Sequence, residues 1–342
     1  MMSYGDVVAE LGAGRSHLLL GNGFSIACDP IFSYPSLYAI AKKKGLNERI
    51  EKIFKKLGTN NFEGVMRLIG NLEWLADVYK LGSRAVHKEI KGDLEIVKKS
   101  LIEALADTHP AHTGRLPDEK KELCTKFLMP YHNIFTINYD LLLYWVELYA
   151  LARLQGRDGF ADDIDDSDAD YCFFSEHLGD NKGIFFIHGA LHLFCVDGEV
   201  RKHTWSKTSV PLISNIKVNL NAGQYPLFVA EGNSKQKLEQ ILNNGYLSYC
   251  LGKLERITNK LVVFGVSFGE SDDHIADAIA CGKVDTLYVG LCGGPKTANN
   301  RAIKRRLKLL EEKRKRFLDK KKRQAGLLEI KYFDATTASV WQ

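Results

Sequence analysis

The stretch Leu18-Leu19-Leu20-Gly21-Asn22-Gly23-Phe24-Ser25 limits the possible folds more than any other. Consecutive apolar residues suit a strand buried on both faces, and the glycines after them suit a tight turn into a helix. Two later stretches repeat the arrangement. Ile134-Phe135-Thr136-Ile137 runs into Asn138-Tyr139-Asp140, and Ile184-Phe185-Phe186-Ile187 runs into His188-Gly189. Three apolar strands that stop at polar groups predict one ligand cleft along the carboxyl edge of a parallel sheet.

Further strands are expected at 171–174, 227–230, 261–265, 286–290 and 328–333. Helices are expected at 141–154, 235–243, 246–257, 274–280 and 299–321. This alternation predicts an α/β, doubly wound, mostly parallel sheet in a single domain over residues 1–342. More than 100 residues separate the first two strand signals. Their apolar positions recur at helical spacing, as in Ile50, Ile53, Phe54, Leu57 and in Val65, Leu68, Ile69, Leu72. Gly58-Thr59-Asn60-Asn61 breaks two of these helices, with Asn61 placed to cap the second. A crossover needs only one helix, so residues 38–127 are expected to form an inserted helical subdomain.

The net charge of +5 is local. Residues 301–323 hold 13 Lys/Arg against three acids, a surplus of +10, so the rest of the chain is acidic. Ile303, Leu307, Leu310 and Phe317 share one face there, which predicts a basic amphipathic helix packed on the sheet. Residues 299–342 thus read as that helix plus a last strand. No nucleic-acid motif or interleaved aromatics accompany the basic run, so nucleic acid is not an expected partner. No apolar run is long enough for a membrane span and no secretory leader opens the chain, so a cytoplasmic protein is expected. The seven cysteines form no CxxC pair, which argues against a disulfide framework and a structural zinc site; most are expected to be buried. The acidic run Asp158 to Asp170 lacks the central Gly of a calcium loop. Its closing Glu is also missing, because position twelve counted from Asp166 is His177. It reads as a solvated loop.

Each polar strand end has a plain structural reading beside a chemical one. Gly21-Asn22-Gly23 fits a tight turn or a phosphate cradle. Asn138 fits a turn or cap, or a carboxamide that holds a ribose hydroxyl or a water. Asp140 fits a helix cap. His188 fits a core histidine or a general base, and Gly189 would leave room for a ligand. Gly265-Val266-Ser267-Phe268-Gly269 fits a turn or a second phosphate or ribose contact. Asp272 and Asp273 fit caps or ligand contacts. Asp273-His274 has no partner His at helical spacing, so metal ligation is not expected.

In this order, Gly21–Ser25, Thr136–Asp140 and His188-Gly189 resemble the three signatures of the Sir2 NAD-binding fold. Phe228-Val229-Ala230-Glu231-Gly232, Asn244-Gly245-Tyr246-Leu247 and the segment from Gly265 to Ile275 resemble the DUF4917 branch of bacterial SIR2-like proteins. The resemblance covers roughly residues 15–292. It implies a Rossmann-like, Sir2-type doubly wound sheet with a large helical insertion and an NAD pocket that holds no metal. Gly21, Asn22, Gly23, Phe24 and Ser25 would line the dinucleotide. Asp140 would order the loop, and Gly265 and Ser267 would lie near the adenosine half. Asn138 and His188 would be catalytic. Two features depart from the family. The four-cysteine zinc module of Sir2 deacylases is absent, which removes the acyl-lysine groove, and Asn22-Gly23-Phe24 replaces the usual Ala-Gly-Ile type turn.

Zinc-less SIR2-like proteins of bacteria resemble NAD-consuming effectors of anti-phage systems. The resemblance therefore implies an NAD glycohydrolase that yields nicotinamide and ADP-ribose. Such an enzyme must be gated, by a homo-oligomer or by a sensor or activator subunit, one option being a nucleotide sensor. The alternative is a non-catalytic module that binds NAD or ADP-ribose and regulates a partner. It would not need Asn138 and His188 together.

Overall fold

Two sheets meet at one short connection, and the candidate site lies where they meet. The computed structural model describes residues 1–161, 170–175, 182–204, 209–320 and 326–342. Six strands, β1 (Ser16–Leu20), β2 (Asn133–Thr136), β5 (Gly183–Phe186), β9 (Thr258–Phe264), β10 (Lys283–Leu291) and β11 (Glu329–Asp334), form one sheet. Its order is β11-β10-β9-β1-β2-β5 and every pairing is parallel. All five β1 residues are buried. Helices cover both faces of such a sheet, which is why its strands read as unbroken apolar runs.

From β1 the chain winds through β2 to β5, then returns to the other side of β1 for β9, β10 and β11. The winding direction therefore reverses between β1 and β9. At such a point the loops leave in opposite directions and open a crevice at the carboxyl ends of the strands.

A second sheet is antiparallel. It consists of β3 (Phe160–Ala161), β4 (Tyr171–Phe174), β6 (Gly189–Val196), β7 (Glu199–His203) and β8 (Pro226–Phe228), in the order β3-β4-β7-β6-β8. Two strands expected in the parallel sheet, β4 and β8, belong here instead. β6 and β7 were not expected as strands. They form a hairpin around Asp197-Gly198, both at positive φ (52° and 86°), the conformation for which Asp-Gly turns are favoured. Only Ile187 and His188 separate β5 from β6, so His188 stands at the junction of the two sheets.

Between β1 and β2 lie the helices Asn22–Cys28, Tyr34–Lys43, Glu48–Leu57, Phe62–Tyr79, Arg84–Thr108 and Asp118–Leu128. Asn61 caps the fourth of these, accepting from the Glu63 amide at 2.9 Å. The C-terminal helix Ala298–Lys320 joins β10 to β11 and buries Ile303, Leu307, Leu310 and Leu318. Phe317 is only half-buried, and Arg314 takes the interior place beside Leu318. Its guanidinium donates to the carbonyls of Gly326 (2.7 Å), Val284 (3.1 Å) and Gly282. Part of the basic run is therefore a cap for strand and helix ends, not a solvated face. Trp341 folds back onto the first turn of the molecule. Its indole N–H donates to the Phe24 carbonyl (2.9 Å) and its ring lies 5.0 Å from that of Phe24.

The acidic run is not wholly solvated at its start. Asp158 is buried and pairs with Lys202 at 2.5 Å. Residues 162–169 and His177 lie outside the described residues. No helix among the described residues is long and apolar enough to cross a membrane.

Candidate functional site

The floor of the cleft is a crossing of two turns. Leu20 of β1 pairs with Phe264 of β9, and the turns that follow interlock. The Gly21 N–H donates to the Phe264 carbonyl and the Gly23 N–H to the Gly265 carbonyl, each at 3.0 Å. A Cβ on Gly23 would sit 2.5 Å from Gly265 Cα. A Cβ on Gly265, whose φ is +73°, would sit 2.6 Å from the Phe24 nitrogen. Glycine is thus required on both sides by backbone contact. Two amides expected to face a phosphate are instead committed to the end of β9 and the turn that follows it.

Above this floor opens a cleft of about 460 Å³, lined among others by Gly21, Asn22, Gly23, Asn138, Asp140, His188, Gly265 and Ser267. Phe24 and Ser25 stand behind its wall. Phe24 is buried against Trp341, and the Ser25 hydroxyl donates to Asp140 Oδ2 at 2.5 Å. Asp140 Oδ1 accepts from the Leu142 amide (2.9 Å) at the start of the helix Leu142–Tyr149. Asp140 therefore ties the first turn to the second and also serves a helix start.

Asn138 is held on three sides. Its backbone N–H donates to Thr136 Oγ1 (3.0 Å). Its Nδ2 group donates to the Gly21 carbonyl (3.0 Å) and to Ser25 Oγ (2.9 Å). Both amide hydrogens are thereby used, and the carboxamide oxygen is the group left to accept from a ligand.

His188 sits opposite, nearly fully buried. Gly189, expected to make room for a ligand, makes room for protein. Its φ is +75° and a Cβ there would lie 2.0 Å from the Leu227 carbonyl of β8. His188 Nε2 lies 2.8 Å from His274 Nε2, and His274 Nδ1 lies 3.1 Å from Ser234 Oγ. Ser234 opens the helix Ser234–Leu242, and its hydroxyl oxygen also accepts the His274 amide at 2.7 Å. The helix start at residue 273 is thus capped from a neighbouring helix, and neither Asp272 nor Asp273 caps it.

The two aspartates hold cations. Asp273 pairs with Arg306 of the C-terminal helix, whose Nε also donates to the Phe268 carbonyl (3.0 Å). Phe268 has φ +52°, so this contact fixes the turn that carries Ser267. Asp272 pairs with Lys237 (3.0 Å), which is fully buried and also pairs with Glu63 (2.6 Å). Glu63 comes from the helical insert; Tyr34 of the helix Tyr34–Lys43 and Tyr139 just after β2 place their hydroxyls 2.8 and 3.0 Å from its Oε1. Glu63, Tyr34, Tyr139 and Asp272 all line the cleft.

Burial sets the electrostatics. Burial opposes charge on Lys237, but Glu63 and Asp272 outweigh it and raise the pKa. Burial, the Lys237 charge and His274 push His188 well below the ordinary histidine range. Burial and Lys237 bring His274 down to about 3. Both rings are neutral at pH 7. Burial raises Asp272, with Lys237 opposing the shift. Burial also lifts the Cys28 thiol to about 12, so that cysteine is inert.

Nothing local in the sequence marks Glu63, Lys237 or Ser234 as neighbours of His188, and His274, weighed there only as a metal ligand beside Asp273, finds its partner histidine across the fold instead of along its helix. His188, Asp272 and His274 offer ligand atoms within 4.8 Å of one another, so a cation could be considered. Two nitrogens each about 2.0–2.1 Å from one zinc at a tetrahedral angle lie about 3.3 Å apart. The shorter 2.8 Å contact is a hydrogen bond, and the Lys237 ammonium already occupies Asp272. The arrangement fits a proton relay better than a metal centre.

The family described as Domain of unknown function (DUF4917) matches residues 18–341, and the chain belongs to that family. No curated protein matches the chain.

Proposed function

We propose that this DUF4917 protein is a Sir2-type NAD glycohydrolase. The observation that carries the reading is the convergence of Asn138 and His188, from β2 and β5, on one cleft at the winding reversal. A cleft of about 460 Å³ is in the size range of small-molecule sites.

Cleavage of NAD breaks the bond between ribose C1′ and the nicotinamide nitrogen. Nicotinamide leaves neutral with the bonding pair, so no acid is needed. The protein must hold the ribose, exclude bulk water and admit one water to C1′. The carboxamide oxygen of Asn138 accepts from that water or from a ribose hydroxyl. His188, neutral at pH 7, takes the proton released as water adds to C1′. The products are nicotinamide and ADP-ribose. The same reading makes the protein a gated effector of anti-phage defence in the cytoplasm, controlled by self-association or a sensor subunit.

Nicotinamide release from NAD tests it. Asn138→Ala and His188→Ala should each lower the rate by about 10²–10⁴-fold while folding normally. The reading fails if the wild type releases none and cellular NAD stays constant while the protein protects against phage.

A further inference from the structure

His188 has two ring nitrogens, and the structure commits one of them. Nε2 faces His274 Nε2 at 2.8 Å, a separation that admits one proton between the two rings. Among the described residues no hydrogen bond is made to Nδ1, and His188 lines the cleft, so that nitrogen is the one left for a ligand. Two proton registers satisfy the chain from Ser234 to His188. In one, Ser234 donates to His274 Nδ1, His274 donates to His188 Nε2, and His188 Nδ1 carries a hydrogen. In the other, the His188 Nε2–H donates to His274, and the His274 Nδ1–H donates to Ser234 Oγ. Only the second leaves a lone pair on His188 Nδ1. Ser234 Oγ already accepts the His274 amide at 2.7 Å, so its lone pairs face that residue. Its second lone pair is available to the His274 Nδ1–H, so the second register is satisfied by the geometry.

We propose that His274, backed by Ser234, is a positioning residue that fixes the tautomer of His188 and makes Nδ1 its basic nitrogen. The proposal rests on the NAD-hydrolase reading for its catalytic consequence. When Nδ1 takes a proton, the ring becomes an imidazolium whose Nε2–H points at a neutral acceptor. His274 then shares the positive charge inside a site from which water is excluded. The groups that face this pair are Lys237 and Asp272 on one side and Tyr139 on the other, its ring 6.4 Å from that of His188.

The test is nitrogen-15 histidine spectroscopy of the full chain at neutral pH, with His188 assigned by its own substitution, beside nicotinamide-release kinetics. The wild type should show His188 protonated at Nε2 and bare at Nδ1. His274→Phe should mix the two tautomers and lower kcat by about 10–100-fold with KM little changed. His274→Gln, which keeps a carboxamide for Nε2, should recover part of both, and Ser234→Ala should mix the tautomers without removing either ring. A hydrogen on Nδ1 in the wild type overturns the proposal. So does a His188 spectrum unmoved in both His274→Phe and Ser234→Ala. If the wild type releases no nicotinamide but its tautomer is the one expected and shifts in these variants, the positioning role stands and the hydrolase reading falls.

Discussion

The two halves of the cleft are built from different materials. On the floor, Gly21, Gly23 and Gly265 let two backbones cross, and the contacts are main-chain hydrogen bonds at 3.0 Å. On the wall, Glu63, Lys237, Asp272, His274 and His188 meet side chain to side chain from four separate segments. The floor tolerates no added atom. The wall tolerates no missing charge. One half should therefore govern whether a ligand binds, and the other what happens to it.

The largest effect on stability is expected at the wall. Lys237→Met would leave Glu63 and Asp272 facing each other without their shared cation. Losing one partner of a buried ionic network costs about 3–5 kcal/mol, which denaturant titration would read. A loss below 1 kcal/mol would mean that the carboxylates relax into solvent and that the wall is softer than its geometry indicates.

Acid should act next, on the wall and on buried histidines elsewhere in the fold. Burial holds His17 and His203 at about 4 and His274 at about 3, and holds His188 well below its ordinary value. These folded-state values lie below the unfolded value of 6.5. The unfolded chain therefore binds more protons in between, so stability is complete above pH 6.5 and falls as pH drops towards 4. For His17 or His203 the full loss is on the order of 3 kcal/mol. Urea midpoints from pH 7.5 to 4.5 would follow the loss. For the same reason the low-pH limb of kcat/KM should lie below pH 6. A limb centred on 6.5 would mean that His188 is solvated.

A smaller change in stability is expected at the floor. Gly23 lies in the helix Asn22–Cys28, where alanine would ordinarily be the better residue. Gly23→Ala should instead cost about 1–3 kcal/mol, because its Cβ collides with Gly265 backbone. A stabilised variant would show that the two turns can separate.

The halves also differ in how far the sequence disclosed them. The floor was readable because its cause is local: apolar runs ending in Gly21-Asn22-Gly23 and in Gly265 announce tight turns at strand ends. The turns' mutual contact was not readable. Amides that could have faced a ligand pair with the other turn, and Gly189 serves β8. Asn138 and His188 stood out as polar groups where apolar strands stop. Their supports did not. Lys237 looks like any helix lysine until Glu63, 174 residues earlier, comes to lie beside it. Asp197-Gly198 was a hairpin signal in plain view, and with it the second sheet would have been expected.

The division of labour between floor and wall is tested most directly by calorimetric titration of NAD into three proteins. These are the wild type, His188→Ala and Gly23→Ala. Binding to the wild type and His188→Ala with none to Gly23→Ala is the predicted result. No binding to the wild type, or equal binding to Gly23→Ala, would contradict the assignment of the glycine crossing as the floor of an NAD site.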